Sequence, residues 1–339
     1  PRTPHASRTA GVLLTVINRV WVLDVTPRLV RMFCATSTRV ASAVVTRRSP
    51  FTRSTTCAHP VRTRARPVSM SSSFTSDTPP AGYTLADQVK RFAKAKSDNV
   101  ARVMDIDSVY DGSFLKGQRV LVTGANRGIG LALCKELAAN GADIVATCRK
   151  SSAELEALNP KQIILNVDVT DTKSCQDMAA QVSEPLDIVI NNAGYFYEPV
   201  EKIDSMNFEE QMKMIDICAV GPLRVSAALH NAGKIKTPGG KIAMITSQGG
   251  SVTWREVQNP SGGDYGHHMS KSAANMGSKL LAQELKHEGI MVQVLHPGFN
   301  KTDMTAKYAQ IWEVEGAVDP AVGAKRVMHE IGLMAPEYN

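Results

Sequence analysis

The sequence predicts an α/β fold, a single doubly wound parallel sheet with helices on both faces, and three observations predict it. From about residue 117, short apolar runs alternate with amphipathic segments of helical length. Each run is continuously apolar, the pattern of strands covered on both sides. The first run also passes through a glycine-rich turn directly into a helical segment, an arrangement that presents a helix N-terminus to a phosphate.

In order, the expected strands are 118–123, 143–148, 162–167, 187–191, 241–246 and 290–296. The expected helices lie near 128–140, 172–183, 207–232 and 264–288, and no internal repeat interrupts them. Residues 117–339 therefore read as one domain of roughly 220 residues. Ahead of it, 71–116 reads as a linker and a helical extension, the Ser-rich start ending in Pro79-Pro80-Ala81-Gly82. Residues 1–70 hold twelve Arg, no Lys and one acid, Asp24, and are about a quarter Ser plus Thr. That is the composition of a transit peptide. The same stretch also reads as untranslated sequence carried in frame ahead of Met70, since the chain opens on Pro1; both readings stand.

The whole-chain charge of +7 misleads, because residues 1–70 carry +11 and the remainder −4. A mildly acidic folded part gives no support to a nucleic-acid function. No run of eighteen uninterrupted apolar residues points to a membrane span. The six cysteines include no C-x-x-C pair and no His cluster at zinc spacing, so no metal site is expected. Free thiols imply a reducing compartment: the cytoplasm, or the chloroplast stroma or mitochondrial matrix if residues 1–70 are a transit peptide.

Chemistry concentrates in a few motifs. The turn Thr123-Gly124-Ala125-Asn126-Arg127-Gly128-Ile129-Gly130 follows the first strand. Its glycines allow a tight turn and close backbone approach, and the following helix offers free N–H groups to a pyrophosphate. Dinucleotide binding follows from strand, turn and helix standing in the required order. The second strand ends Thr147-Cys148-Arg149-Lys150, without the acid that would hold a ribose 2′-hydroxyl and repel a 2′-phosphate. Arg149, with Arg127 nearby, suits a 2′-phosphate through its planar fork. NADP(H) is the expected cofactor.

With its T-G-x-x-x-G-x-G spacing, the sequence resembles the short-chain dehydrogenase/reductase family. Asn191-Asn192-Ala193-Gly194, Asp168-Val169, Ser247, Lys271, His296-Pro297-Gly298 and Thr302 stand where that family's landmarks do. Phrases such as Gly221-Pro222-Leu223-Arg224-Val225 resemble its C-factor-like and sniffer-like carbonyl reductases. The resemblance implies that Asp168 and Val169 meet the adenine, Asn192 with Ala193 and Gly194 the adjacent ribose region, and Thr302, after Pro297 and Gly298, the carboxamide. It further implies a small carbonyl substrate and a homodimer or homotetramer. The family usually adds a seventh strand after the last long helix, here near 320–334, and the chain is expected to stop short of it.

The family's proton donor to the carbonyl oxygen is a tyrosine four residues before a lysine that lowers its pKa, with a serine hydrogen-bonding the same oxygen and an asparagine anchoring a water relay behind the lysine. Ser247 and Lys271 match, whereas the tyrosine position is His267 and the asparagine position Cys218. His267 shares a helical face with Lys271 and can act as an acid. Its pKa is expected below the ordinary value of about 6.5 because of the Lys271 charge. Tyr265 is the other candidate, but six helical residues set it about 120° off the lysine's face. It reaches the site if the helix begins later or bulges. Loss of catalysis, leaving a nucleotide-binding regulatory protein, is the alternative. Tyr195, Phe196 and Tyr197 are candidate walls of the substrate pocket.

Overall fold

Six parallel strands form one sheet in the order β3-β2-β1-β4-β5-β6: β1 Arg119–Thr123, β2 Asp143–Thr147, β3 Gln162–Ile164, β4 Ile188–Asn191, β5 Lys241–Ile245 and β6 Met291–Leu295. They come from a computed structural model that describes residues 92, 95–253, 255 and 261–336. The expectations for residues 1–70 and for the linker at 71–82 lie outside the described residues. The chain order reverses between β1 and β4, so a crevice opens beyond their carboxyl ends.

Alternation along β1 builds both layers. Val120 and Val122 face one side, where they meet Leu133 and Leu137 of α1 (Gly128–Ala139) and, from the end of the chain, Val327 and Ile331. Leu121 faces the other side, against Met178 of α2 (Thr172–Gln181) and Leu229 and Leu285 from helices further along. Leu133 and Leu137 are fully buried one helical turn apart, the i,i+4 spacing that makes a helix face. Asn140 and Gly141, the latter at φ +72, end α1.

The expected helix over 207–232 is real but not uniform. It comprises α3 (Phe208–Ile215), a five-residue π-helical segment (Asp216–Val220) and α4 (Gly221–Asn231). Helix α5 (Tyr265–Leu285) fills most of the expected 264–288 and closes with one 3-10 turn before Gly289. Helix α6 (Pro320–Gly332) starts on Asp319, whose carboxylate accepts from the Ala321 N–H at 2.8 Å, with Pro320 first in the helix. Strand β3 is shorter than expected because Asn166, at φ +58, turns the chain out of the ladder. The four described cysteines, Cys134, Cys148, Cys175 and Cys218, are free and buried.

Candidate active site

The floor of the crevice is made by one hydroxyl. Thr123, at the end of β1, accepts the backbone N–H groups of Asn192 (2.9 Å) and Ala193 (3.0 Å) on its Oγ1. Asn192 returns the contact, its side-chain amide donating to the Thr123 carbonyl at 3.0 Å and the Gly124 carbonyl at 3.3 Å. The family resemblance implies that Asn192 meets the cofactor's ribose region; its amide straps the glycine turn to β4. Thr123 is 2% exposed. Thr123→Val is expected to leave two half-buried N–H groups without this acceptor and to destabilise the fold by about 1–3 kcal/mol in total; urea unfolding curves measure the loss.

The glycines leave room by necessity. A Cβ on Gly130 would sit 2.1 Å from the Gly124 carbonyl oxygen and 2.6 Å from the Asn192 amide nitrogen. Gly124 and Gly128 hold φ of +66 and +53, conformations that disfavour a side chain. Arg127 precedes α1 with no side chain capping its first N–H groups, so these donors face the crevice available for an anion. Ile129 packs on the core beneath, and Asn126 stands half-buried in the turn between them. The Ala125 N–H donates to the Thr147 carbonyl at 3.2 Å, which ties the turn to the end of β2; Arg127 in the turn and Arg149 just after that strand are both exposed.

Asp168 folds its carboxylate back onto the N–H (2.9 Å) and hydroxyl (2.7 Å) of Thr170. These bonds, aided by the Arg149 and Arg224 charges, hold it below the usual carboxylate range. Val169 is buried against Gly221 of α4. Across the crevice, Asn300 donates to the carbonyls of Pro297 (3.1 Å) and Gly298 (2.9 Å). This folds the loop so that Thr302 heads the short helix Asp303–Ile311 in a reciprocal cap with Thr305. The Thr302 methyl would meet a Cβ on Gly128 at 3.8 Å, so this loop reaches the glycine turn. Gly194 is exposed beyond Ala193.

The reactive groups converge on Gly249. A Cβ there would lie 3.0 Å from His267 Nε2, 3.1 Å from His268 Nδ1 and 3.2 Å from Ser247 Oγ. One small volume is thus shared by three polar atoms from two elements. Ser247 Oγ accepts the Gly249 N–H at 3.0 Å, which leaves its own proton to donate. Lys271 Nζ reaches the Ile245 carbonyl at 3.5 Å, at the end of β5. His268 is engaged elsewhere: Nδ1 lies 3.0 Å from the Gly249 carbonyl, and Arg255 approaches its ring at 3.1 Å. An Nδ1–H donor with Nε2 accepting from Arg255 satisfies both contacts in the neutral ring. Burial and the Arg255 charge push His268 down to about 4.

Three sequence expectations are corrected here. His267 is held well below its ordinary value, as expected, but burial is the largest cause and Lys271 the second, followed by His268, Arg255 and His296. Helix α5 begins at Tyr265 and runs to Leu285 as regular α-helix. Neither condition that would bring Tyr265 to the lysine's face is met. Of the three aromatic residues after β4, Phe196 reaches the site, its ring 5.0 Å from that of His267. The Tyr195 hydroxyl instead donates to Glu210 at 2.9 Å, and that of Tyr197 accepts from Asn207 at 3.2 Å, both at the start of α3.

Cys218, in the π-helical segment, lies with its sulfur 3.3 Å from the Tyr195 N–H and 3.4 Å from its carbonyl. The thiol fixes the loop after β4. Two carboxylates escaped the sequence reading because burial and the contact between Glu201 and the start of α5 have no local signal. Glu201, 2% exposed, accepts the N–H groups of Asn207 (3.0 Å) and Gly266 (2.8 Å) and so caps α3 and α5 together. Asp264, just before α5, is pushed up to about 6 by burial.

Residues 118–311 match the short chain dehydrogenase family. The 1-hydroxy-2-glutathionyl-2-methyl-3-butene dehydrogenase of Rhodococcus sp. (strain AD45) is 31% identical over 221 residues, which cover 64% of this chain and 92% of the relative. Among solved structures, a short chain dehydrogenase from Burkholderia cenocepacia J2315 in complex with NADP is 27% identical at a TM-score of 0.53, covering 62% of this chain and 88% of that one. Carbonyl reductase Sniffer of D. melanogaster is 26% identical at a TM-score of 0.52, covering 61% and 89%. Sheet order, glycine turn and family match agree: the chain belongs to the short chain dehydrogenase family.

Proposed function

We propose that this chain is an NADPH-dependent reductase of a small aldehyde or ketone. The observation that carries the reading is the convergence of Ser247 Oγ and His267 Nε2 on the space beside Gly249. The cofactor, held by the glycine turn, by Arg149 and by Lys271 at its ribose, supplies the hydride when bound. A carbonyl oxygen placed between Ser247 and His267 receives a hydrogen bond from the hydroxyl and a proton from the imidazolium. The NADP complex of the Burkholderia relative supports the cofactor.

A specific observation favours the second reading, a nucleotide-binding regulatory protein. Cys218, at the family's asparagine position, has its thiol engaged with the Tyr195 backbone, and His267 is neutral near pH 7. Following NADPH absorbance with a panel of aldehydes, quinones and ketosteroids separates the two. Turnover of any member supports the reductase. Tight NADPH binding with no turnover across the panel assigns the chain to the regulatory class.

A further inference from the structure

Lys307, on the short helix Asp303–Ile311, is a charged side chain beside the site that the proposed reaction does not use. Its side chain is 23% exposed and its ammonium is screened from solvent. The nitrogen lies 4.1 Å over the Phe196 ring and 4.9 Å from that of Tyr308, and it is ion-paired with Glu198. Phe196 is also the ring that packs on His267 at 5.0 Å. One aromatic ring therefore separates the ammonium from the candidate acid.

We propose that Lys307 receives the carboxylate of the substrate, so that the reductase prefers short oxo acids over neutral carbonyl compounds of the same length. The inference rests on the reductase reading given above. An ammonium has three donors, and among the described residues Glu198 is the acceptor found for it. Aromatic faces hold a cation in place through their quadrupole without satisfying its donors. Glu198 is half exposed, with 51% of its side chain open to solvent, so water can take it over when a substrate carboxylate replaces it. Asp264 is the other carboxyl whose charge reaches Lys307, and with its pKa pushed up to about 6 it offers weaker compensation than an ordinary aspartate. The Arg255 charge also acts on Asp264. A substrate spanning the Phe196 ring would place its carbonyl at Ser247 and His267 and its carboxylate at Lys307.

Two measurements test this. In steady-state reduction with NADPH, levulinate is compared with its methyl ester. The expected kcat/KM ratio favours the acid at least tenfold, falls at least tenfold in Lys307→Met, and is retained in Lys307→Arg. Binding of hexanoate, which has no carbonyl to reduce, is measured by calorimetry on the NADP-loaded protein. Affinity is expected to fall at least tenfold in Lys307→Met and to rise in Glu198→Gln, which removes the competing carboxylate. Hexanoate binding that depends on Lys307 in a protein without turnover upholds the Lys307 site and defeats the reductase reading. Turnover with no preference for the acid, and hexanoate affinity indifferent to Lys307→Met, upholds the reductase and overturns the Lys307 site.

Discussion

His267→Ala is expected to lower the reduction rate by about 10²–10⁴-fold, the usual worth of a positioned general acid. The acid form is scarce in the unmodified protein, since burial and the neighbouring cations keep the imidazole neutral well below its ordinary value. A depressed pKa means that the imidazolium fraction grows tenfold per pH unit until that pKa is reached. The rate of the parent protein should therefore climb as pH falls from 7 toward about 5.5. The His267→Ala profile should be flat over the same range. The same depression acts on folding. Between the folded pKa and about 6.5 the unfolded chain binds more protons, so stability contributed by neutral His267 and His268 declines as the solution is acidified. Initial rates must accordingly be taken before acid unfolding sets in. If Tyr265→Phe carried the loss and His267→Ala little of it, the proton-donor assignment would be wrong despite the regular start of α5.

The second large effect concerns the cofactor. The unmodified protein is expected to bind NADPH at least tenfold more tightly than NADH, and Arg149→Asp to invert that order. Tenfold is about 1.4 kcal/mol, within reach of one charge-assisted phosphate contact. Inversion is expected because the new carboxylate would repel a 2′-phosphate and accept a 2′-hydroxyl. The Ala125–Thr147 hydrogen bond places the end of β2 beside the glycine turn, so the substitution acts at the ribose without touching the fold. Fluorescence titration with both cofactors reads the result. Equal affinity of the parent protein for the two would defeat it.

Much of this was legible in the chain because the information is local. Three glycines between an apolar strand and a helix announce their geometry, and the structure supplies the reason at Gly130, where no Cβ fits. All six strands were readable from their apolar runs, though the turn at Asn166 that shortens β3 has no signal in hydrophobicity. What was not legible depends on contacts between distant residues. Lys307 lies more than a hundred residues from Phe196, and nothing near it suggests a partner. Glu201 caps a helix that begins at Tyr265, a pairing no spacing rule anticipates. The low pKa of His267 was foreseen from the wrong leading cause, because charge spacing can be read along a helix whereas burial by Phe196 and its neighbours cannot.

The π-helical segment between α3 and α4 has a consequence for how this helix can vary. Such a segment takes up an additional residue without adding a full turn, and it is found frequently at functional sites. The apolar positions before it, such as Met214, and after it, such as Val225 and Leu229, are all buried. The wider winding over Asp216–Val220 takes up that residue, so both sets of positions keep to the same layer. Removing one residue from this segment would restore a uniform 3.6-residue period with α4 close to its present phase, and Val225 and Leu229 would stay on the sheet. The change would fall on the segment itself, where the placement of Cys218 against the Tyr195 backbone would be lost.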